Sequence, residues 1–240
     1  MGDEKNIHHG HRMRMKHAMI ENGIDGLNDH QILEIMLFYA VPKIDTNPIA
    51  HRLVERFGSL RNVLEADFDE LREVSGIGDN AASLIKFSQM LAGRYVCASS
   101  FEDDTMKFTD TDSLRRYYEG VFLGTTVEQV RGMLVDDDLN MVKEKLLIEG
   151  SISKVQISTR VFTDFVIKNN CNRLVIAHNH PRGVCLPSKE DVITTKKLFD
   201  ILKMLDISIV DHIIVGQTGS FSLRASDRCG NIWPIDKRLR

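Results

Sequence analysis

The stretch that most constrains this chain is RLVIAHNHPRGVCLPSKEDV, residues 173 to 192. Residues 173 to 177 predict a short buried strand, because this apolar run is too short for a helix and ends in a loop. His178 and His180 follow two positions apart, so in extended backbone both imidazoles point to the same side. We therefore expect the two rings to bind one cation together.

A third ligand is expected where the next helix begins. Pro181, Gly183 and Pro187 interrupt regular structure, and from Ser188 onwards apolar residues recur at helical spacing. Asp191 lies in the first turn of that helix, although Ser188 and Asp191 also match a capping box that only closes the helix. Two imidazoles and one carboxylate suit zinc, and three protein ligands leave a position for water, as in catalytic sites. Zinc would lower the pKa of that water to about 7.

The whole pattern is more specific than its parts. HNHP at 178 to 181, followed by PSKED at 187 to 191, resembles the JAMM signature of MPN+ metal-dependent peptidases, and more narrowly the RadC family. Arg182 stands where that family usually has Ser, and Val184 and Cys185 occupy the connecting loop. The resemblance implies a zinc hydrolase that cleaves amide or isopeptide bonds in a protein or peptide substrate. These changes fall beside the expected ligands and not on them, so they bear on the substrate groove rather than on the metal chemistry.

The resemblance also implies catalytic roles outside the metal ligands. The family places a general base, a Glu, on an early strand before the HxH motif, and Glu128 matches it best. Glu144 and Glu149 are the rival positions. Ser188, beyond capping, would offer its hydroxyl to the developing negative charge of the substrate. His212, in an apolar stretch, is expected to be a structural residue of the core.

Composition and patterning indicate two domains. With 240 residues, 42% hydrophobic and 27% charged, the chain can bury one good core or two small ones. We predict a helical domain at 1–97, a polar and acidic linker at 98–108, and a metal-binding domain at 109–240. Strands and helices mix in the second domain, so the fold class is α+β, with a helical part followed by a mixed-sheet α/β part. The resemblance implies a cytidine-deaminase-like MPN fold there.

Local signals place several helix ends. Asn28 is expected to cap one helix, and Asn47 with Pro48 to start another that stops at Gly58. Ser113 is expected to open a helix in the second domain. The histidine-rich amino terminus, residues 1–16, is expected to fray.

Gly76, Ile77 and Gly78 form a tight turn that resembles a helix-hairpin-helix, a motif whose backbone amides bind DNA phosphates without reading sequence. The alternative is a turn that only packs two helices together. Residues 1–97 carry 11 Lys and Arg against 14 Asp and Glu, whereas a DNA-binding face is normally basic. Any binding to DNA should therefore be weak and non-specific.

The remaining features of the sequence predict a cellular location and leave two alternative functions. No apolar run approaches a membrane span, the amino terminus is too polar for a secretory signal, and the four cysteines lack CxxC spacing, so we expect a cytoplasmic protein. One rival is a non-catalytic DNA-repair accessory with a structural zinc. The other is a nuclease, suggested weakly by the letters HNH at 178 to 180. Oligomeric state is not indicated.

Overall fold

The computed structural model describes residues 3–101, 106–150, 159–226 and Trp233. It divides into two compact units, Met1–Leu91 and Ala92–Arg240. The division falls inside one helix, and the domain boundaries at 97 and 109 stay a prediction. Among the described helices, none has the length and apolar character that crossing a membrane requires.

The first unit is helical, as predicted. Its helices are α1 (Asp3–Asn22), α2 (Asp29–Ala40), α3 (Asn47–Phe57), α4 (Leu60–Glu65), α5 (Phe68–Arg72) and the start of α6 (Asp79–Ala98). Their apolar faces enclose a core that includes Leu33, Leu37, Leu53, Val63 and Ile85. Burial of these side chains is the main source of stability, because short helices are marginal on their own.

Two of the predicted capping signals of this unit are confirmed, whereas the predicted start of α3 is one residue late, because Thr46 is the N-cap and Asn47, not Pro48, is the first helical residue. Asn28 caps α2 in a capping box with Gln31, and Gly58 ends α3 with a φ of 87°, a conformation that favours glycine. The prediction of a frayed amino terminus is wrong. Residues 3–16 belong to α1, and the imidazole of His11 lies 2.9 Å from the carboxylate of Glu34, which is buried in α2.

The second unit is built on a five-stranded mixed sheet with the order β2-β1-β3-β4-β5. Its further elements are α7 (Thr111–Val121), β1 (Gln129–Val135), β2 (Met141–Glu149), α8 (Thr159–Lys168), β3 (Arg173–Asn179), α9 (Lys189–Lys203), β4 (Ser208–Gly216) and β5 (Gly219–Ser222). Only β3 and β4 pair in parallel, because the crossover through α9 connects them; the other neighbours are antiparallel. The predicted α+β class is confirmed.

Helices cover both faces of this sheet. Leu114, Tyr118 and Phe122 of α7 pack on one face, against a set that includes Val175 and Ala177 of β3. Phe162 of α8 and Leu198 of α9 pack on the other face, against residues such as Leu174 and Ile176. Alternate residues of β3 thus point to opposite helical layers. His178 continues the alternation of Leu174 and Ile176 and faces the α8 and α9 side.

One predicted helix start needs correction. Ser113 does not open α7, because Asp110 is the N-cap and accepts the amide of Ser113 at 2.7 Å. Ser113 instead occupies the third helical position and completes the capping box. Asp and Ser are both common N-cap residues, so residue type alone does not indicate which of the two caps α7.

Candidate metal centre

The two histidines of the motif come together at the carboxyl end of β3. His178 is the last but one residue of the strand and is 3% exposed, whereas His180 lies just beyond its end. Their Nε2 atoms are 3.1 Å apart, so both rings face the same point, as the spacing predicted. The extended backbone produces this geometry, because side chains two residues apart in a strand point to the same face of the sheet.

Asp191 completes the group from the first turn of α9. Its Oδ1 lies 3.3 Å from Nε2 of His178, and its Oδ2 lies 3.5 Å from Nε2 of His180. The capping box is also present: the Ser188 amide and hydroxyl donate to Oδ2 at 2.8 and 2.7 Å, and the Asp191 amide donates back to the Ser188 hydroxyl. The same hydrogen bonds therefore cap α9 and hold the Asp191 carboxylate next to both histidine rings.

The donor set fits a small divalent cation. His178, His180 and Asp191 form a group that could hold a metal ion. Zinc binds imidazole nitrogen and carboxylate oxygen at about 2.0–2.2 Å, and the corners of such a tetrahedron are about 3.3–3.6 Å apart. The two Nε2 atoms are 3.1 Å apart, and each lies near a different oxygen of Asp191, at 3.3 Å for His178 and 3.5 Å for His180. The donors are therefore close enough together to share one ion.

The local charge favours a cation as well. Burial raises the pKa of the Asp191 carboxyl, but its contacts with the rings of His178 and His180 and the hydrogen bond from Ser188 outweigh this and hold the pKa well below its usual range. The contact with Asp191 raises the pKa of His180, against the opposing effect of partial burial. The carboxylate is therefore ionised and stabilises positive charge at this point.

The loop after β3 orients the ring of His180. Its Nδ1 donates to the carbonyl of Val184 at 2.9 Å, which leaves Nε2 as the ligand atom. That loop rests directly on the end of β4: a Cβ at Gly216 would lie 2.4 Å from the amide nitrogen of Cys185. Gln217 also donates its amide to the carbonyl of Gly183 at 2.8 Å. The close contact between the loop and the backbone of Gly216 therefore fixes the position of the Val184 carbonyl, which accepts the hydrogen bond from His180.

Two further residues contact the group, and the sequence did not reveal their role. Nδ1 of His178 lies 2.8 Å from Nε2 of His212, whose own Nδ1 lies 2.7 Å from the hydroxyl of Thr195. His212 is buried on β4, and its burial, followed by repulsion from His178, keeps its pKa well below the ordinary value. It was expected to be a structural core residue, and it is not one of the three grouped donors. Thr195 lies four residues after Asp191, a helical spacing that could have drawn attention to it.

Glu128 immediately precedes β1. Alternation along β1 places it with Val130, which packs against the α8 and α9 layer that His178 also faces. The pKa of His180 is raised mainly by Asp191, and the charge of Glu128 adds to that shift. Its backbone is held by Asn179, whose side chain donates to Val127 O and accepts the Gln129 amide at 3.0 and 2.7 Å.

The rival carboxylates have other partners. Glu144 forms an ion pair with Arg131 at 2.5 Å, and its charge acts on Tyr117 and Tyr118, on the α7 side of the sheet. Glu149 accepts a hydrogen bond from the side chain of Gln129 at 2.8 Å. The choice of Glu128 over these two rivals as general base stays a prediction.

Comparison with known proteins agrees with this geometry. Residues 108–228 match the family described as RadC-like JAB domain. The chain belongs to the RadC family. Across 218 residues it is also 29% identical to the UPF0758 protein FN0909 of Fusobacterium nucleatum subsp. nucleatum, covering 89% of this chain and 94% of that relative. The resemblance inferred from the HNHP and PSKED segments is confirmed.

The glycine turn lies outside the matched RadC-like JAB domain. Gly76 has a φ of 96°, and a Cβ there would approach Ile49 to 2.8 Å, while Ile77 is buried in the core of the first unit. Gly78 has open space around it, with no atom within 4 Å of an added Cβ. Packing therefore explains Gly76 and Ile77 without any ligand. A contact of this turn with DNA stays a prediction.

Proposed function

We propose that this RadC family protein is a zinc-dependent hydrolase of amide or isopeptide bonds. The observation that carries the proposal is the convergence of two imidazoles and one carboxylate, from His178, His180 and Asp191, at separations of 3.1 to 3.5 Å, because zinc binds these donor types. Zinc, when bound there, supplies a Lewis acid and lowers the pKa of a water molecule. A structural zinc usually has four protein ligands, and among the residues described the group has three, which favours catalysis.

Glu128 is the proposed general base. Its position two residues before Val130, which packs in the α8 and α9 layer, supports this role, and Asn179 fixes the backbone on both sides of it. In this role the carboxylate takes a proton from the attacking water and passes it to the leaving amine. A fixed backbone serves this role because proton transfer needs hydrogen-bond reach.

Ser188 is the proposed donor to the developing oxyanion. In the resting protein its hydroxyl donates to Asp191, so it would exchange that acceptor for the more negative substrate oxygen during the reaction. Its backbone is already fixed as the N-cap of α9, which limits the reorganisation needed.

The proposed partner is a protein or peptide substrate. Support comes from the family, whose JAB-type motif resembles that of metal-dependent peptidases, and from the balanced charge of residues 98–240, which carry 20 Lys and Arg and 20 Asp and Glu. That balance favours neither nucleic acid nor a membrane surface. The nuclease alternative gains no support, because the site continues into a Ser188 to Asp191 cap on a helix.

The experiment is hydrolysis of internally quenched peptides and of lysine isopeptides by the full chain. We expect cleavage that stops when a chelator removes the metal, returns on adding zinc, and is absent in His178→Ala. Cleavage that ignores the chelator would contradict the proposal. Metal-dependent nicking of plasmid DNA that requires His178, without peptide cleavage, would favour the nuclease instead.

A further inference from the structure

We propose that Thr195 and His212 are positioning residues that fix the tautomer of His178, so that its Nε2 is free for the metal. The inference rests on the proposed metal-binding role of His178. It follows from three consecutive hydrogen bonds. In each bond, the assignment of donor and acceptor determines which atom donates in the next. The three bonds run from the backbone of α9 through β4 to β3.

The first bond fixes the hydroxyl proton of Thr195. Thr195 Oγ1 lies 2.6 Å from the backbone carbonyl of Asp191, and a carbonyl can only accept. The single proton of the hydroxyl is therefore used there. Towards its other neighbour, Nδ1 of His212 at 2.7 Å, the hydroxyl oxygen must be the acceptor.

The second bond fixes the tautomer of His212. Nδ1 carries the proton that Thr195 accepts. The ring is 6% exposed on a strand of apolar residues, and its nitrogens face a hydroxyl and an imidazole, so a charge there would be uncompensated and costly. A neutral ring protonated at Nδ1 has a lone pair at Nε2. Nε2 of His212 is thus an acceptor.

The third bond fixes the tautomer of His178, the proposed metal ligand. Nδ1 of His178 lies 2.8 Å from Nε2 of His212, so the proton between them belongs to His178. With its proton on Nδ1, His178 presents the lone pair of Nε2 towards Asp191 and His180. The carbonyl of Val184 likewise takes the Nδ1 proton of His180, so its Nε2 also offers a lone pair. Both lone pairs are then available to one cation.

The relay also joins the two elements that supply ligands. It begins at the backbone of Asp191 on α9 and ends at the ring of His178 on β3, with Thr195 fully buried between them. Displacing α9 would therefore change the partner of His212, and through it the ring of His178. Outer partners of metal-ligating histidines fix ring orientation in this manner in metal sites generally.

The test compares Thr195→Val with Thr195→Ser in the full chain. Valine keeps the shape but removes the acceptor, whereas serine keeps the hydroxyl. We expect Thr195→Val to weaken zinc binding by about 10-fold to 100-fold, measured by competition with a chromophoric chelator, and Thr195→Ser to stay within about 3-fold of wild type. Equal zinc affinity in both variants would overturn the proposal, because a merely structural Thr195 would alter only thermal stability.

A second readout needs no metal. In metal-free protein, correlation spectra of the histidine ring nitrogens with their protons should show His178 and His212 both protonated at Nδ1 in wild type and in Thr195→Ser. The preference should be lost in Thr195→Val. His178 protonated at Nε2 in the wild-type protein would overturn the relay. If wild type binds no zinc yet has the expected tautomers, the proposed function fails and the relay stands.

His212 supplies an independent pair of variants should Thr195→Val not fold. Gln can place a carbonyl oxygen near the position of Nε2 of His212 and still accept from His178, whereas Leu cannot. We expect His212→Gln to retain the Nδ1-protonated form of His178 and His212→Leu to lose it, with zinc affinity following in the same order. Wild-type affinity and tautomer in His212→Leu would contradict the relay.

Discussion

At the scale of single residues, Glu128 separates catalysis from metal binding. Glu128→Gln keeps the size and polarity of the side chain but removes its ability to accept a proton. We expect hydrolysis to fall by about 100-fold to 10,000-fold, the range attributed to general acid–base catalysis, with zinc content and melting temperature unchanged. The measurements are the rate on a responsive peptide, elemental analysis and thermal unfolding.

Glu144→Gln and Glu149→Gln are the matched controls for that experiment. Glu144 is paired with Arg131 and Glu149 with Gln129, so neither change should reduce the rate by more than a few-fold. Full activity in Glu128→Gln combined with loss in a control would show that the base was misassigned. Loss of zinc in Glu128→Gln would indicate a structural carboxylate instead.

Ser188 offers a second prediction at this scale. Ser188→Ala removes the N-cap hydroxyl of α9, which should cost about 1 kcal/mol of unfolding free energy. We expect the rate to fall by about 100-fold to 1,000-fold while one equivalent of zinc remains, as for loss of an oxyanion donor. Ser188→Thr, which keeps a hydroxyl, should recover most of both quantities. A fall in zinc affinity that accounts for the whole rate loss would mean that Ser188 serves only to orient Asp191.

At the scale of elements, the last residue of β4, Gly216, packs against the loop that orients His180. A Cβ at Gly216 would overlap the backbone of Val184 and Cys185, so Gly216→Ala must shift the loop whose carbonyl orients His180. We expect zinc affinity to fall about 10-fold or more, measured by chelator competition. Gly26→Ala is the control, since nothing lies within 4 Å of a Cβ there. Wild-type zinc affinity in Gly216→Ala would show that the loop does not position His180.

The sequence predicted β3, α9 and their three ligands because each signal is local. An apolar run, an i and i+2 pair of histidines, and a Ser188 to Asp191 cap are all read within one short segment. The role of His212 depends on the parallel pairing of β3 with β4, which aligns Ile176 with His212. A crossover connection sets that register, and no pattern within either strand reveals it.

Helix starts show the same distinction between local and non-local signals. Asn28 is predicted as a cap because a capping residue type stands directly before an apolar helical pattern, and in the structure Gln31 completes its capping box. Asp110 was missed in favour of Ser113, since both residue types cap helices well. Gly76 was read as an approach point for phosphate, but its packing against Ile49 depends on residues far away in sequence.

At the scale of the whole molecule, binding to DNA remains a prediction that the glycine turn can test. Gly76 is unsuitable for mutation, because its positive φ and its contact with Ile49 would disturb the fold. Gly78→Val is better, as its surroundings are open, and Gly26→Val is the matched control in another open turn. We expect weak, sequence-independent binding by the full chain in fluorescence anisotropy, steeply reduced by salt and lost in Gly78→Val alone.

The net charge of residues 1–97, with 11 Lys and Arg against 14 Asp and Glu, sets the expected weakness of that binding. Asp79 at the start of α6 is moreover paired with Arg72 at 2.6 Å, which reduces the cationic character of the turn. Tight or sequence-selective binding, or binding that survives Gly78→Val in a folded protein, would contradict the prediction.

The central claim is that His178, His180 and Asp191 hold one zinc ion, and metal analysis tests it most directly. We expect close to one equivalent of zinc in the purified protein and almost none in the double variant His178→Ala, His180→Ala. The control is His30→Ala, His51→Ala, which removes another close histidine pair, with ring centroids 4.3 Å apart. That variant should keep one equivalent. Unchanged zinc after loss of His178 and His180, or loss of zinc in the control, would contradict the site.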